Sequence, residues 1–398
     1  MDIVITPGKL SGSITAIPSK SQAHRLLICA AFSAAPTVLT CPQPNQDIEA
    51  TVGCLNALGA DIQRTETGYH IMPVSEIPKT AEINCGESGS TLRFLLPIVC
   101  ALGVNTTIQM SGRLPYRPLS PLWEELERMG CTLTRPTQSS ICASGKLRAG
   151  EFTIAGNVSS QFITGLMFAA SLMEGTSKII ITGKLESKPY IDMTLQVLEL
   201  FGVAAKKLTV SGSFPFTTPG EITVEGDWSN GAFFLVASRM GNDIEVDNLC
   251  CASVQGDRAV ASIISIETEH AVIDASDIPD LVPILSVYFA SKRGAVFTGI
   301  NRLRLKESDR VTSVCNMLAA LGISASADNM TLTVNSGTFT GGTVDACGDH
   351  RIAMAAGIAA TVATGPVTIL GAHCVAKSYP AFWQEYKRLG GNYEQYIR

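Results

Sequence analysis

Charge is scarce in this 398-residue chain, where only 16% of the side chains are Asp, Glu, Lys or Arg. The 30 basic and 35 acidic residues leave a formal net charge of −5, which argues against a general nucleic-acid binder, because affinity for a phosphate backbone needs a broad basic surface. Local basic clusters remain possible. No CxxC pair and no spaced Cys/His set occurs among the 12 cysteines, so they are read as small core residues, and no metal site or disulfide framework is expected. Long apolar runs are missing too: the stretch at residues 94–102 is too short and too interrupted to span a bilayer. The opening MDIVITPGKLSGSI has neither a basic n-region nor a long apolar h-region and reads as a strand and a turn. A soluble, cytosolic protein is expected.

What the chain does have is apolar supply, with 46% hydrophobic residues over a length that predicts two or three domains. Its charge concentrates at residues 301–310, NRLRLKESDR. Leu303 and Leu305 alternate with Arg302, Arg304 and Lys306, a period-2 pattern that predicts a strand with its cations on one side. Ser308 and Asp309 then precede apolar residues at helical spacing, which predicts a capped helix start bracketed by Lys306 and Arg310. Glu307, a carboxylate among cations, is held ionised there and can relay a proton if a substrate displaces one of those cations.

One unit recurs six times. Each copy opens on small or polar residues, runs through an Ala/Leu-rich helix that ends near Gly, enters a short β-rich run, turns, and starts a second helix. First-helix openings fall at Pro18, Cys85, Asn157, Gly226, Ser276 and Cys347, and the strands that follow are TVLTC, TTIQMSG, SKIIITG, DIEVDN, AVFTGI and VTILGA. A spacing of roughly 70 residues exceeds solenoid periods and suits a β/α unit that buries its own face. The fourth copy is shorter. Mixed sheets with helices on one side, an α/β or α+β class, follow, and three copies on each side of a boundary near residue 225 make two similar domains. The expected division is 15–225 for the first domain, and 1–14 with 226–398 for the second. The N-terminal strand is expected to pair with the last domain, and two chain crossings, near Gly12 and Gly226, to form a hinge.

Polar groups gather at two places of the unit, the start of the first helix and the turn after the strand. Lys20, Ser21 and Arg25 offer cations, a hydroxyl and free helix N–H groups, suited to a phosphate or carboxylate. Gly89 lies among the hydroxyls of GESGST, where a glycine lets a ligand approach the backbone. Arg113 and Arg117 project from the turn RLPYR. Ser159, Ser160 and Gln161 are neutral groups at a third helix start, and Ser187, Lys188 and Tyr190 follow the next strand. Asp280 precedes the apolar LVPIL, either as a helix cap or as a base whose basicity desolvation raises. Arg351 and Lys377 occupy the two positions in the sixth copy. Helix starts facing one another would focus positive charge on an anionic ligand.

In their order along nearly the whole chain, SKSQAHR, GESGSTLR, RLPYRPL, SSQF, SKPYID, IPD, LRLKESDR, CGDHR and VAKSYP resemble the enolpyruvyl transferase family, and within it the branch acting on shikimate 3-phosphate. The resemblance implies two domains of threefold-repeated β/α units, an inside-out barrel-like build closing around a cleft. It implies transfer of the enolpyruvyl group of phosphoenolpyruvate to the 5-hydroxyl of shikimate 3-phosphate with release of phosphate, as part of aromatic amino acid biosynthesis. No cofactor and no metal would be used, and the partners would be the two small substrates, with neither nucleic acid nor membrane, the chain acting as a monomer. Ser21, Arg25, Ser159, Ser160, Gln161, Ser187 and Tyr190 match the shikimate-phosphate site, with Asp280 and Lys306 on the ring hydroxyls. Lys20, Gly89, Arg117, Gln161, Arg310, Arg351 and Lys377 match the phosphoenolpyruvate clamp, Lys20 serving both substrates. Asp280 is expected to act as base, Glu307 as acid, and Lys20 and Lys377 to assist the chemistry. The first domain would carry mainly the shikimate-phosphate residues and the second the acid, the base and most of the clamp.

Glu87 departs from the family's GNAGT form, which has Asn at that place, and it leaves sensitivity to glyphosate open. Two rival readings are enolpyruvyl transfer to UDP-N-acetylglucosamine, whose enzyme carries a reactive cysteine where this chain has RLPYRPL, and a non-catalytic anion-binding repeat protein.

Overall fold

A computed structural model describes residues 1–268 and 270–396 of the chain. Two compact units emerge, Pro18–Glu225 and, built from both ends of the chain, Met1–Ile17 with Gly226–Arg398.

In the Pro18–Glu225 unit one mixed sheet is repeated three times. In the middle copy, Thr80–Asn84 and Asn105–Gln109 run parallel, with the helix Gly89–Leu102 as their crossover. Parallel neighbours require such a crossover, whereas the hairpin Cys131–Thr137/Ser140–Gly145 adds two antiparallel strands through a tight turn. Ile83, Ile108 and Ile141 stand opposite one another across three strands, all within 1% of full burial, so the inward row is set by alternation. The third copy repeats this order with Glu151–Ala155, Thr176–Thr182, Ala205–Lys206 and Thr209–Ser211. The first copy takes its parallel edge strand, Glu221–Thr223, from the far end of the unit, beside Thr37–Thr40. Helices fill the centre: of the 13 residues of Ser160–Leu172, 11 are buried. Each large apolar side chain so buried contributes about 1.5–3 kcal/mol.

The other unit contains two full copies and a short one. Asp2–Thr6 lies between Val367–Leu370 and Asn392–Tyr396, antiparallel to both, so the N-terminal strand completes the last copy's sheet. The short copy has only Ser11–Thr15 parallel to Asp243–Asp247 and, as its second helix, the single turn Val260–Ile263. Backbone bonds from Ala16 to Asp247 (2.9 Å) and from Asp227 to Ile17 (2.8 Å) keep residues 15–17 with this unit, three positions beyond the division read from sequence. Among the described residues no helix is long and apolar enough to cross a membrane.

The strand expected at the densest charge is absent. Asn301–Leu305 form a 3-10 turn in which Arg302 and Leu303 are buried while Leu305 is 44% exposed, so the cations share no face. Gly299, at φ +66°, ends the preceding strand Ala295–Thr298, and the chain must turn at once to enter the helix Arg310–Ala320. Five alternating residues mimic a strand in sequence, but among the described residues no strand pairs with them.

Candidate active site

In the Pro18–Glu225 unit, hydrogen bonds stitch the helix starts together. Ser19 caps the helix Lys20–Ala31 by accepting from Gln22 N, which leaves Lys20 and Ser21 in its first turn. Lys20 Nζ meets the largely buried Asp47 at 2.8 Å. Arg25 is 2% exposed, and its Nε donates to Thr194 Oγ1 (2.9 Å), its Nη2 to Tyr190 O (2.9 Å) and its Nη1 to Ser21 O (2.5 Å). Arg25 thereby ties Ser21 to the first turn of the helix Lys188–Leu200, where Tyr190 lies; burial draws the guanidinium down to about 10. Ser187, just before that helix, is buried at φ 56°, an uncommon conformation for a residue with a side chain.

A second chain of contacts runs from His24 Nδ1 to Thr51 Oγ1 (2.8 Å), on to Thr91 Oγ1 (2.7 Å) and from there to Ser88 Oγ (2.7 Å), the cap of the helix Gly89–Leu102. Burial lowers His24 to about 3, so it adds no charge near neutral pH. Ser159 caps the helix Ser160–Leu172, leaving Gln161 to donate from Nε2 to Ser90 Oγ (2.8 Å) and accept at Oε1 from Arg93 Nη1 (2.7 Å). Arg93 Nη2 reaches Pro118 O at 3.1 Å, anchoring the end of the Leu114–Tyr116 turn. Arg117 follows that turn, and its Nη1 lies 2.8 Å from where a Gly89 Cβ would stand. Thus Lys20, Ser21, Arg25, Gly89, Arg117, Ser159, Ser160, Gln161, Ser187 and Tyr190 all belong to one linked set of helix starts and turns. Helix N-termini with cations beside them attract anions.

The other unit centres on Arg310, which is completely buried. Its Nη1 donates to Asp280 (2.7 Å), its Nη2 to Glu307 (2.8 Å) and its Nε to Asp349 (3.0 Å). Lys306 and Arg351 reach Asp280 at 3.4 and 3.3 Å, and Arg351 Nη2 also donates to Ser229 Oγ (2.8 Å). Asp280, Lys306, Glu307, Arg310 and Arg351 therefore form a single cluster. Lys377 lies on another element, the turn Ala372–Lys377, whose neighbour Ser378 accepts a bond from Asn230 at 3.2 Å.

The electrostatics correct one sequence reading. Burial works to raise Asp280, but Arg351, Lys306 and Arg310 together outweigh it and hold the carboxyl well below its usual range, so it is a weaker base than expected. Nor does Asp280 cap a helix, since Leu281 holds that place without a side-chain bond. Lys306 is lowered to about 8 by burial, against the pull of Asp280. The carboxylates around Arg310 raise it above the ordinary guanidinium value in spite of burial.

The family described as EPSP synthase (3-phosphoshikimate 1-carboxyvinyltransferase) matches residues 4–386. The chain belongs to the EPSP synthase family. Among curated relatives, the 3-phosphoshikimate 1-carboxyvinyltransferase of Clostridium kluyveri is 36% identical over 420 residues, covering 99% of this chain and 98% of that one. The enzyme of the same name from Clostridium perfringens strain 13 is 38% identical over 419 residues, covering 98% of each. A solved EPSP synthase from Acinetobacter baumannii superposes with a TM-score of 0.80 at 22% identity, over 99% of this chain and all of that one, which establishes a shared fold.

Sequence reasoning missed Asp47, Arg93, Ser229 and Asp349, the residues that hold the charged groups in place. Arg93 ends GESGSTLR and Asp349 sits in CGDHR, so two were inside recognised motifs; Asp47 and Ser229 had no such signal.

Proposed function

We propose that this chain transfers the enolpyruvyl group of phosphoenolpyruvate to the 5-hydroxyl of shikimate 3-phosphate and releases phosphate, a step of aromatic amino acid biosynthesis. The observation that carries this reading is a family match running from residue 4 to residue 386, which takes in every residue of both charged sets. Nothing favours UDP-N-acetylglucosamine as acceptor or a non-catalytic scaffold.

In this reading Ser21, Arg25, Ser159, Ser160, Gln161, Ser187 and Tyr190 receive shikimate 3-phosphate, with Lys306 and Asp280 on its hydroxyls. Lys20, Gly89, Arg117, Gln161, Arg310, Arg351 and Lys377 receive phosphoenolpyruvate, Lys20 also reaching the shikimate phosphate. The Pro18–Glu225 unit supplies mainly the first set, and the other unit supplies the acid, the base and the remaining clamp. The chain works as a monomer in the cytoplasm, and because addition and elimination need only proton transfer and charge stabilisation, no cofactor is called for.

Burial and the cations oppose each other at Asp280, so its basicity responds to whatever engages those cations. When the anionic groups of phosphoenolpyruvate draw on Arg310 and Arg351, burial prevails and raises Asp280, and the carboxylate accepts the proton of the attacking 5-hydroxyl. Glu307, relieved of Arg310 in the same way, takes up a proton and delivers it to the methylene carbon as the hydroxyl oxygen bonds to C2. In the elimination the new methyl group returns its proton to Glu307, the bond from C2 to the phosphate oxygen breaks, Asp280 passes the hydroxyl's proton to the departing phosphate, and Lys20, Lys377 and the arginines hold its charge.

Phosphoenolpyruvate labelled with carbon-13 at C2 and C3 tests the bond formed. A new enol ether signal coupled to the carbon bearing the 5-oxygen is expected, and an adduct on another oxygen would contradict the proposal.

A further inference from the structure

Glu87, in the motif GESGSTLR, is an acid beside a cluster shaped for anions, and the proposed function gives it no role. Its side chain occupies the space that a Cβ on Gly112 would fill, and Gly112 itself stands at φ +55°, where glycine is favoured. One residue earlier in each segment the two are joined again: Ser111 N donates to Gly86 O at 2.8 Å. From this contact the chain runs through the Leu114–Tyr116 turn to Arg117, whose Nη1 returns to within 2.8 Å of the Cβ position of Gly89, two residues beyond Glu87. The far end of the turn is fixed independently by Arg93 on Pro118 O. The segment from 111 to 118 is thus clamped at both ends.

We propose that Glu87 is a positioning residue that seats the 111–117 turn on the start of the helix Gly89–Leu102 and so sets Arg117 for phosphoenolpyruvate. This rests on the proposed function for the identity of the ligand, but the geometric part can be read without any substrate. Length does this work: the side chain of Glu87 reaches over Gly112 and fills a gap that asparagine, one methylene shorter, would not span.

The test uses the full chain and the variants Glu87→Ala, Glu87→Gln, Gly112→Ala, Arg117→Ala and the double variant Glu87→Ala/Arg117→Ala. For Glu87→Ala the KM for phosphoenolpyruvate is expected to rise about tenfold, the scale of one lost polar interaction, with kcat and the KM for shikimate 3-phosphate within about twofold. Glu87→Gln, of the same shape, restores most of the affinity, and Gly112→Ala, which displaces the carboxylate by a different route, reproduces the defect. In the Arg117→Ala background the Glu87 change adds less than about twofold, because both act through one group. Full additivity, an effect confined to kcat, or no effect overturns the proposal. Separately, modification of Arg117 by phenylglyoxal, followed by peptide mass spectrometry without substrates, is expected to be several-fold faster in Glu87→Ala. An unchanged rate refutes the positioning claim whatever the kinetics, whereas faster modification in an enzyme that turns over neither substrate keeps the geometry and discards the function.

Discussion

Asp349 grips Arg310 twice, at 3.0 Å from Nε and 3.3 Å from Nη2, while the same carboxylate accepts the amide of Arg351 and caps the helix His350–Ala360. One completely buried acid thus fixes the central arginine, the direction of a helix and the base of a second arginine.

Removing it leaves Arg310 buried beside an empty place. Asp349→Ala is expected to lose about 3–5 kcal/mol of unfolding free energy, the usual cost of breaking a buried ion pair from one side, measured by denaturant titration. A loss below about 1 kcal/mol would mean that Arg310 finds another partner.

Glu307→Gln preserves size and a contact to Arg310 but removes the transferable proton. Turnover is expected to fall about 100-fold or more, with both KM values nearly unchanged, in steady-state assays of phosphate release. Near-normal kcat would remove Glu307 from the acid role.

Lys306 is lowered to about 8, so it loses its charge as pH rises through that value. The kcat/KM for shikimate 3-phosphate, which reports the free enzyme, should therefore fall on an alkaline limb near that pH. Lys306→Arg, which stays charged, should move the limb upward; an unmoved limb assigns it to another group.

Asp280 is held below its ordinary 3.8, so it contributes stability fully present above that pH and lost as pH falls through its lower folded value. The stability difference between the native chain and Asp280→Asn should narrow as pH is taken below about 4. A constant difference across that range would mean that the cations do not act through the ionised carboxylate.

Much of this was legible in advance. The six strands were visible because short β-branched runs follow Ala/Leu-rich helices, five of which end near glycine, and the caps Ser19, Ser88, Ser159 and Asp349 sit at the recognised openings. The 3-10 turn at Asn301–Leu305 was not, since an alternation of Leu and Arg carries no information about whether a neighbouring strand exists. Ion pairs between residues far apart in the chain were equally hidden: Asp47 reaches Lys20 across 27 positions and Arg310 reaches Asp349 across 39. Their partners are set by how copies of the unit pack, and that packing leaves no local pattern in the sequence. The basicity of Asp280 was misjudged for the same reason, as its three cations lie 26, 30 and 71 residues away.

The account stands most directly on the acceptor. Purified chain given phosphoenolpyruvate should release phosphate only when shikimate 3-phosphate is also supplied, and give none with UDP-N-acetylglucosamine or with phosphoenolpyruvate alone. Release that is independent of shikimate 3-phosphate, or no release with both substrates present, would contradict it.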